Sequence, residues 1–171
     1  MIVRQAGVED AELIHSIGCR SYRHNFSTIW TKDGIEQHLQ AGFTQAKIRD
    51  SLVDQVKNIW FLLSLKPNST PVGFTTLVFN HSIPDSNDIG LEIQKLYFEP
   101  SASGKGCGNY LMKFIVSYAQ EKNYEKLWLA VLKSNTGAIR FYESCGFQQL
   151  SERPFNTDIN QVGQWVMVKT L

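Results

Sequence analysis

The sequence predicts an α/β protein, a mixed central sheet of about seven strands with helices on both faces. Three observations carry this. Short apolar runs of strand length alternate with longer segments whose apolar residues recur at helical spacing. One such pair, Leu91–Phe98 followed by Leu111–Ala119, is joined by a loop with glycines at 104, 106 and 108. The 171 residues show no repeat and no linker, so one domain spanning 1–171 is expected, large enough to bury a core.

Taken in order, residues 2–6 form a first short strand. Glu9 and Asp10 open a helix at the end where acids are favoured, and Leu13, Ile14, Ile17 and Tyr22 make its buried face. Lys32-Asp33-Gly34 reads as a break. Ile35, Leu39 and Phe43 then follow at i, i+4, i+8, and a further helical stretch carries Ile48, Leu52 and Val56. Ile59–Leu65 and Val72–Phe79 read as strands, joined by the turn-rich segment from Lys66 to Pro71. His81 to Gly90 is polar and reads as a loop. The next strand is Leu91–Phe98, stopped by Pro100, which has no N–H to continue a ladder. After the glycine loop and its helix come a strand at Lys126–Leu132, a helix from Asn135, a short strand Phe147–Leu150, a loop Ser151–Val162 and a last strand Gln164–Thr170.

Composition narrows the function classes. The formal charge is +1, which lacks the basic excess expected of a nonspecific nucleic-acid binder. The longest apolar run, Leu127–Leu132, is far too short to span a membrane, and the first ten residues hold no signal-peptide core. Three cysteines without C-x-x-C spacing point to a reducing, cytoplasmic setting, and four scattered histidines argue against a metal site.

A loop of small residues opening a helix leaves backbone N–H groups free, which suits phosphate. The spacing G-x-G-x-G is not the dinucleotide fingerprint, and Lys126–Leu132 ends without the acid that would hold a ribose. No G-x-x-x-x-G-K-[ST] is present either. The N–H groups of Ser103, Gly104, Lys105, Gly106, Cys107, Gly108 and Asn109 are the candidate cradle. The segment from Asn135 through Ala138, Phe141 and Tyr142 to Gly146-Phe147 completes the pattern.

With these two motifs the chain resembles the GNAT N-acetyltransferase superfamily, which pairs [RQ]-x-x-G-x-[GA] with N-x-x-A-x-x-[FL]-Y-x-x-x-G-[FL]. Gly106 and Gly108 fill the first motif, and Ser103 replaces its Arg or Gln. The order of elements matches that fold along the whole chain. Shorter stretches, among them Ser21–Phe26, His38–Phe43 and Leu91–Tyr97, resemble the PaiA-like polyamine acetyltransferases. The resemblance implies acetyl-CoA as co-substrate, no metal, and an acceptor amine, spermidine or spermine first. It also implies that the fourth and fifth strands splay apart, so that Leu96, Tyr97 and Phe98 offer backbone groups to the pantetheine arm. Asn135 caps its helix and is a candidate CoA contact. Many members are dimers, which leaves a homodimer open beside a monomer.

Acetyl transfer needs a base and an acid. Glu92 is the candidate base, and strand alternation puts it on one side with Gln94 and Leu96. Family members carry a carboxylate at one or both positions matching 92 and 94; here Gln94 removes the second. Tyr142 matches the hydroxyl that protonates the departing thiolate. Tyr22, Phe26, Trp30 and Phe43 are candidates to wall the acceptor pocket, and Asp33, Glu36, Asp85 and Asp88 to meet a polyamine. The alternatives are a peptide, protein, amino-acid or aminoglycoside amine as acceptor, or a non-catalytic acyl-CoA-binding regulator.

Overall fold

Seven strands form one mixed sheet in the order β1-β2-β3-β4-β5-β7-β6 in the computed structural model, which describes residues 1–171. The strands are β1 (Ile2–Gln5), β2 (Asn58–Ser64), β3 (Gly73–Ser82), β4 (Ile89–Phe98), β5 (Lys126–Leu132), β6 (Gln148–Arg153) and β7 (Gln164–Thr170). The helices are α1 (Ala11–Phe26), α2 (Lys32–Gly42), α3 (Gln45–Val53), α4 (Cys107–Glu121) and α5 (Thr136–Ser144). Every neighbouring pair is antiparallel except β4 and β5.

Two cores sandwich the sheet. Leu111, Ile115 and Ala119 of α4 recur at i, i+4, i+8 and pack on Leu77, Leu91, Leu127 and Leu129, with Ile139 of α5 beside them. On the other face Ile14 and Ile17 of α1, Ile35 and Leu39 of α2, and Ile48 and Leu52 of α3 cover Trp60, Leu62 and Phe74.

Several sequence expectations need correction. Lys32-Asp33-Gly34 does not break the chain. Thr31 caps α2, its hydroxyl accepting from the Gly34 N–H at 3.0 Å, and the three residues form the first turn. Val56 lies beyond α3 and is 89% exposed, so it adds nothing to that helix's face. The polar stretch from His81 is shorter as a loop than expected, because β3 runs to Ser82 and β4 starts at Ile89. Likewise β6 continues to Arg153, past the predicted end at Leu150.

The largest correction concerns β4. Its register with β3 shifts by one residue between Thr76↔Lys95 and Leu77↔Ile93, which leaves Gln94 as the extra residue of a β-bulge. Leu91 and Ile93 face α4, and after the bulge Leu96 and Phe98 face it as well, whereas Tyr97 packs on the α1 side. Strict alternation therefore fails: Glu92 shares its face with Lys95 and Tyr97, not with Leu96.

Candidate active site

Strands β4 and β5 pair only at Leu91↔Leu127 and Glu92↔Trp128. Beyond Glu92 they diverge, because each keeps its other neighbour, β3 for β4 and β7 for β5, while the bulge at Gln94 turns β4 away. The backbone groups of β4 that point toward β5 past this place have no strand to pair with. A cleft of about 630 Å³ opens there, lined on one side by the start of α4 and by α5, and on the other by α1 and α2.

At one end lies the N-terminus of α4. Gly104 and Gly106 adopt left-handed φ of 71° and 74°, and Gly106 is the N-cap. The Ser103 and Lys105 N–H groups are used internally, donating to the carbonyls of Pro100 and Ala102. Those of Gly104, Gly106, Cys107, Gly108 and Asn109 have no backbone partner, so they form the free cluster that the helix dipole reinforces. The expected cradle is thus narrowed by two donors. Gly108 belongs to the first helical turn, where a Cβ would stand 3.2 Å from the Phe141 ring; its smallness lets α5 approach α4. The Asn135 side-chain oxygen accepts from the Ala138 N–H at 3.1 Å, which caps α5 and leaves its amide N–H groups free on the cleft.

Tyr142 lines the same cleft between Phe141 and Phe147, at centroid distances of 5.3 and 5.9 Å. Burial pushes its phenol well above the ordinary value of about 10, and burial does the same to Tyr97. Of the predicted catalytic and coenzyme-binding residues, all line this cleft except two, Lys105 and Glu92.

Glu92 is 7% exposed and has an internal partner instead. His81 Nδ1 stands 2.6 Å from its Oε2. A carboxylate only accepts, so Nδ1 carries the proton and Nε2 is left facing outward on a half-exposed ring. A second bulge sets this up. The β3–β4 register shifts again between Val78↔Glu92 and His81↔Gly90, and Asn80 takes a φ of 48°. That extra residue returns His81 to the face of Glu92. Sequence reading placed His81 in a loop and missed the pair; an asparagine, which tolerates left-handed φ, just before a histidine was the available signal. Lys95, Glu99, His38 and Phe155 also line the cleft and were not predicted. Of the aromatic candidates, Tyr22 and Phe26 line it, while Phe43 belongs to the helical core.

Free amides at a helix N-terminus, beside a slot between two diverging parallel strands, have the chemistry and shape to suit an acyl thioester on a phosphate-bearing carrier. The chain belongs to the acetyltransferase (GNAT) family, whose model matches residues 20–147. It is an acetyl-CoA-dependent N-acetyltransferase. An uncharacterized N-acetyltransferase of Mycobacterium tuberculosis is 25% identical over 162 residues, 95% of this chain and 98% of that one. The spermine/spermidine N(1)-acetyltransferase of Bacillus subtilis is 28% identical over 102 residues, 58% of this chain and 63% of that one. Among solved structures, the PaiA N-acetyltransferase of Thermoplasma acidophilum in complex with coenzyme A superposes with a TM-score of 0.81 at 19% identity. The match covers 99% of this chain and 98% of that one. No group of three or more His, Cys, Asp or Glu side chains is placed to hold a metal ion, and no helix is long and apolar enough to cross a membrane.

Proposed function

We propose that this enzyme acetylates the primary amine of a small molecule by direct attack within a ternary complex. The observation that carries the proposal is a single cleft that passes from the free amides of α4, past Tyr142, to a chamber under α1 and α2. Both substrates reach one place through the gap between β4 and β5.

The five free amides from Gly104 to Asn109 bind the diphosphate of the coenzyme, and the unpaired edge at Leu96–Phe98 holds its pantetheine arm. Bound acetyl-CoA supplies the activated acetyl thioester. A backbone N–H at Tyr97 or Phe98 polarises its carbonyl. As the new N–C bond forms and the C–S bond breaks, Tyr142 donates its proton to the leaving sulfur. The amine's proton passes through water to Glu92, because that carboxylate does not itself line the cleft; the Nδ1–H of His81 holds the carboxylate in place. Gln94 lies exposed on the bulge, so the mechanism uses one strand carboxylate rather than two.

Two acceptor classes have support. The likeness to the Bacillus subtilis spermine/spermidine enzyme and to the PaiA structure supports a polyamine. The charge and shape of the chamber support an aromatic monoamine, argued below. The free thiols Cys19, Cys107 and Cys145 fit a cytoplasmic setting.

Thiol release from acetyl-CoA with a panel of amines tests the function. Amine-dependent release that falls at least tenfold in Tyr142→Phe and Glu92→Gln is expected. Release that is unchanged in both variants with every amine favours the non-catalytic acyl-CoA-binding regulator.

A further inference from the structure

The chamber on the α1 side of the cleft has a chemistry that the acetyl-transfer reading leaves unused. His38 of α2 lies at its centre, stacked on Tyr22 with ring centroids 5.0 Å apart and 4.8 Å from Trp30. Phe155, from the loop between β6 and β7, meets the His38 ring edge-on at 6.2 Å. Phe26 packs on Tyr22 at 4.6 Å. Of these rings, Tyr22, Phe26, His38 and Phe155 line the cleft directly. The Tyr22 hydroxyl and Trp30 Nε1 are buried side by side, close enough to interact with each other but without a well-formed hydrogen bond to any group.

The chamber is tied shut on its outer side. Asp158, on the same loop as Phe155, accepts from the Thr31 N–H at 3.1 Å and from the Thr31 hydroxyl. Thr31 caps the helix that carries His38, so loop and helix are fastened and the two rings face each other. On its inner side Tyr22 meets Tyr97 edge-on at 6.5 Å, and Tyr97 and Tyr142 line the same cleft. The chamber therefore opens onto the reacting end of the cleft.

Its charge is poorly matched to a polyamine. Glu99 is the only acid lining the cleft, and Arg20 takes up its carboxylate. Asp33, Glu36, Asp85 and Asp88, the sequence candidates for meeting a polyamine, lie outside it. Glu36 is bound to Arg23 at 2.6 Å and Asp88 to Lys126. The other ionisable groups of the cleft besides its tyrosines and the buried Cys107 are Lys95, His24 and His38, and burial holds His38 toward its neutral form.

Resting on the acetyl-transfer reading, we infer that this chamber takes an arylalkyl monoamine, its ring stacked among Tyr22, His38 and Phe155 and its amino group directed toward Tyr97 and Tyr142. Offset and edge-on ring contacts favour a flat apolar group there, and the aromatic walls also accept one ammonium. A polyamine brings further charges that no free carboxylate in the cleft meets.

The test compares kcat/KM for 2-phenylethylamine, benzylamine, hexylamine, spermidine and spermine, with acetyl-CoA affinity measured separately by calorimetry. The aryl amines are expected to exceed both polyamines and hexylamine by tenfold or more. Phe155→Ala and the bulkier replacement His38→Leu are each expected to raise the aryl-amine KM about tenfold, with acetyl-CoA affinity unchanged. Polyamine turnover equal to or above that of the aryl amines overturns the chamber assignment and leaves the enzyme an acetyltransferase. So does hexylamine equal to 2-phenylethylamine, or an aryl-amine KM unmoved in both variants. Acetyl-CoA bound with no amine of any class turned over overturns the acetyl-transfer reading beneath it.

Discussion

Glu92 is a carboxylate in the middle of a sheet, and His81 is what makes that tolerable. A buried acceptor left without its donor costs about 1–3 kcal/mol. His81→Ala is therefore expected to lose about 1–3 kcal/mol in denaturant unfolding, while Glu92→Gln in the same background recovers part of it. If His81→Ala unfolds at the wild-type midpoint, the pair contributes nothing to the fold. Tyr142 makes a different demand. Burial raises its pKa, so the hydroxyl stays protonated throughout the range where most assays run, and deprotonation belongs only above its ordinary value of about 10. Tyr142→Phe is expected to lower kcat about 10- to 100-fold. The KM for acetyl-CoA should hold, and the loss should be the same at every pH from 6 to 9. A loss that varies across that range would remove Tyr142 as the proton donor.

The elements owe their functional geometry to two irregularities and one helix terminus. The bulge at Gln94 puts Leu96 and Phe98 on the α4 side and Tyr97 toward the acceptor chamber. Deleting Gln94 would remove the bulge and leave Leu96, Tyr97 and Phe98 opposite Thr75, Phe74 and Gly73, on the faces they already hold, but β4 would lose the bend that turns it from β5. Loss of coenzyme binding, read by calorimetry, is expected even if circular dichroism still reports a folded sheet. At the helix terminus, Gly106 holds a φ of 74° that a side chain adopts at a cost of about 1–2 kcal/mol. Gly106→Ala is expected to destabilise by about that amount and to weaken coenzyme affinity, because the amides of Cys107 and Gly108 lose their aim. Much of this was legible beforehand. Strands Lys126–Leu132 and Gln164–Thr170 are found where the residue pattern put them, since each is a run of strand-forming residues between clear turns. The second helix was not legible at its start, because Lys-Asp-Gly has poor helix propensity. A single hydroxyl, that of Thr31, outweighs it by satisfying an orphan amide.

Taken whole, the molecule is a sheet split along one seam, with each half fastened to its outer neighbours. Filling that seam should brace both halves. Coenzyme A at one hundred times its Kd is expected to stabilise the fold by about 2.7 kcal/mol, which for a chain of this size raises Tm by roughly 5–10 °C. No shift at that ratio would mean that the coenzyme does not prefer the folded chain. The glycine loop, the Asn135–Phe147 motif and the alternation of apolar periods are local properties of the chain, and they suffice to specify the fold class, the family and the helix terminus with free amides. Facing is another matter. Whether Glu92 reaches the cleft, that His81 is its partner, and that Phe155 stands opposite His38 across 117 positions of chain depend on register shifts and on the Asp158–Thr31 fastening. A one-residue shift inverts every side chain after it, and contacts between distant segments leave no period in either; such relations exist only once the sheet and its loops have closed on one another.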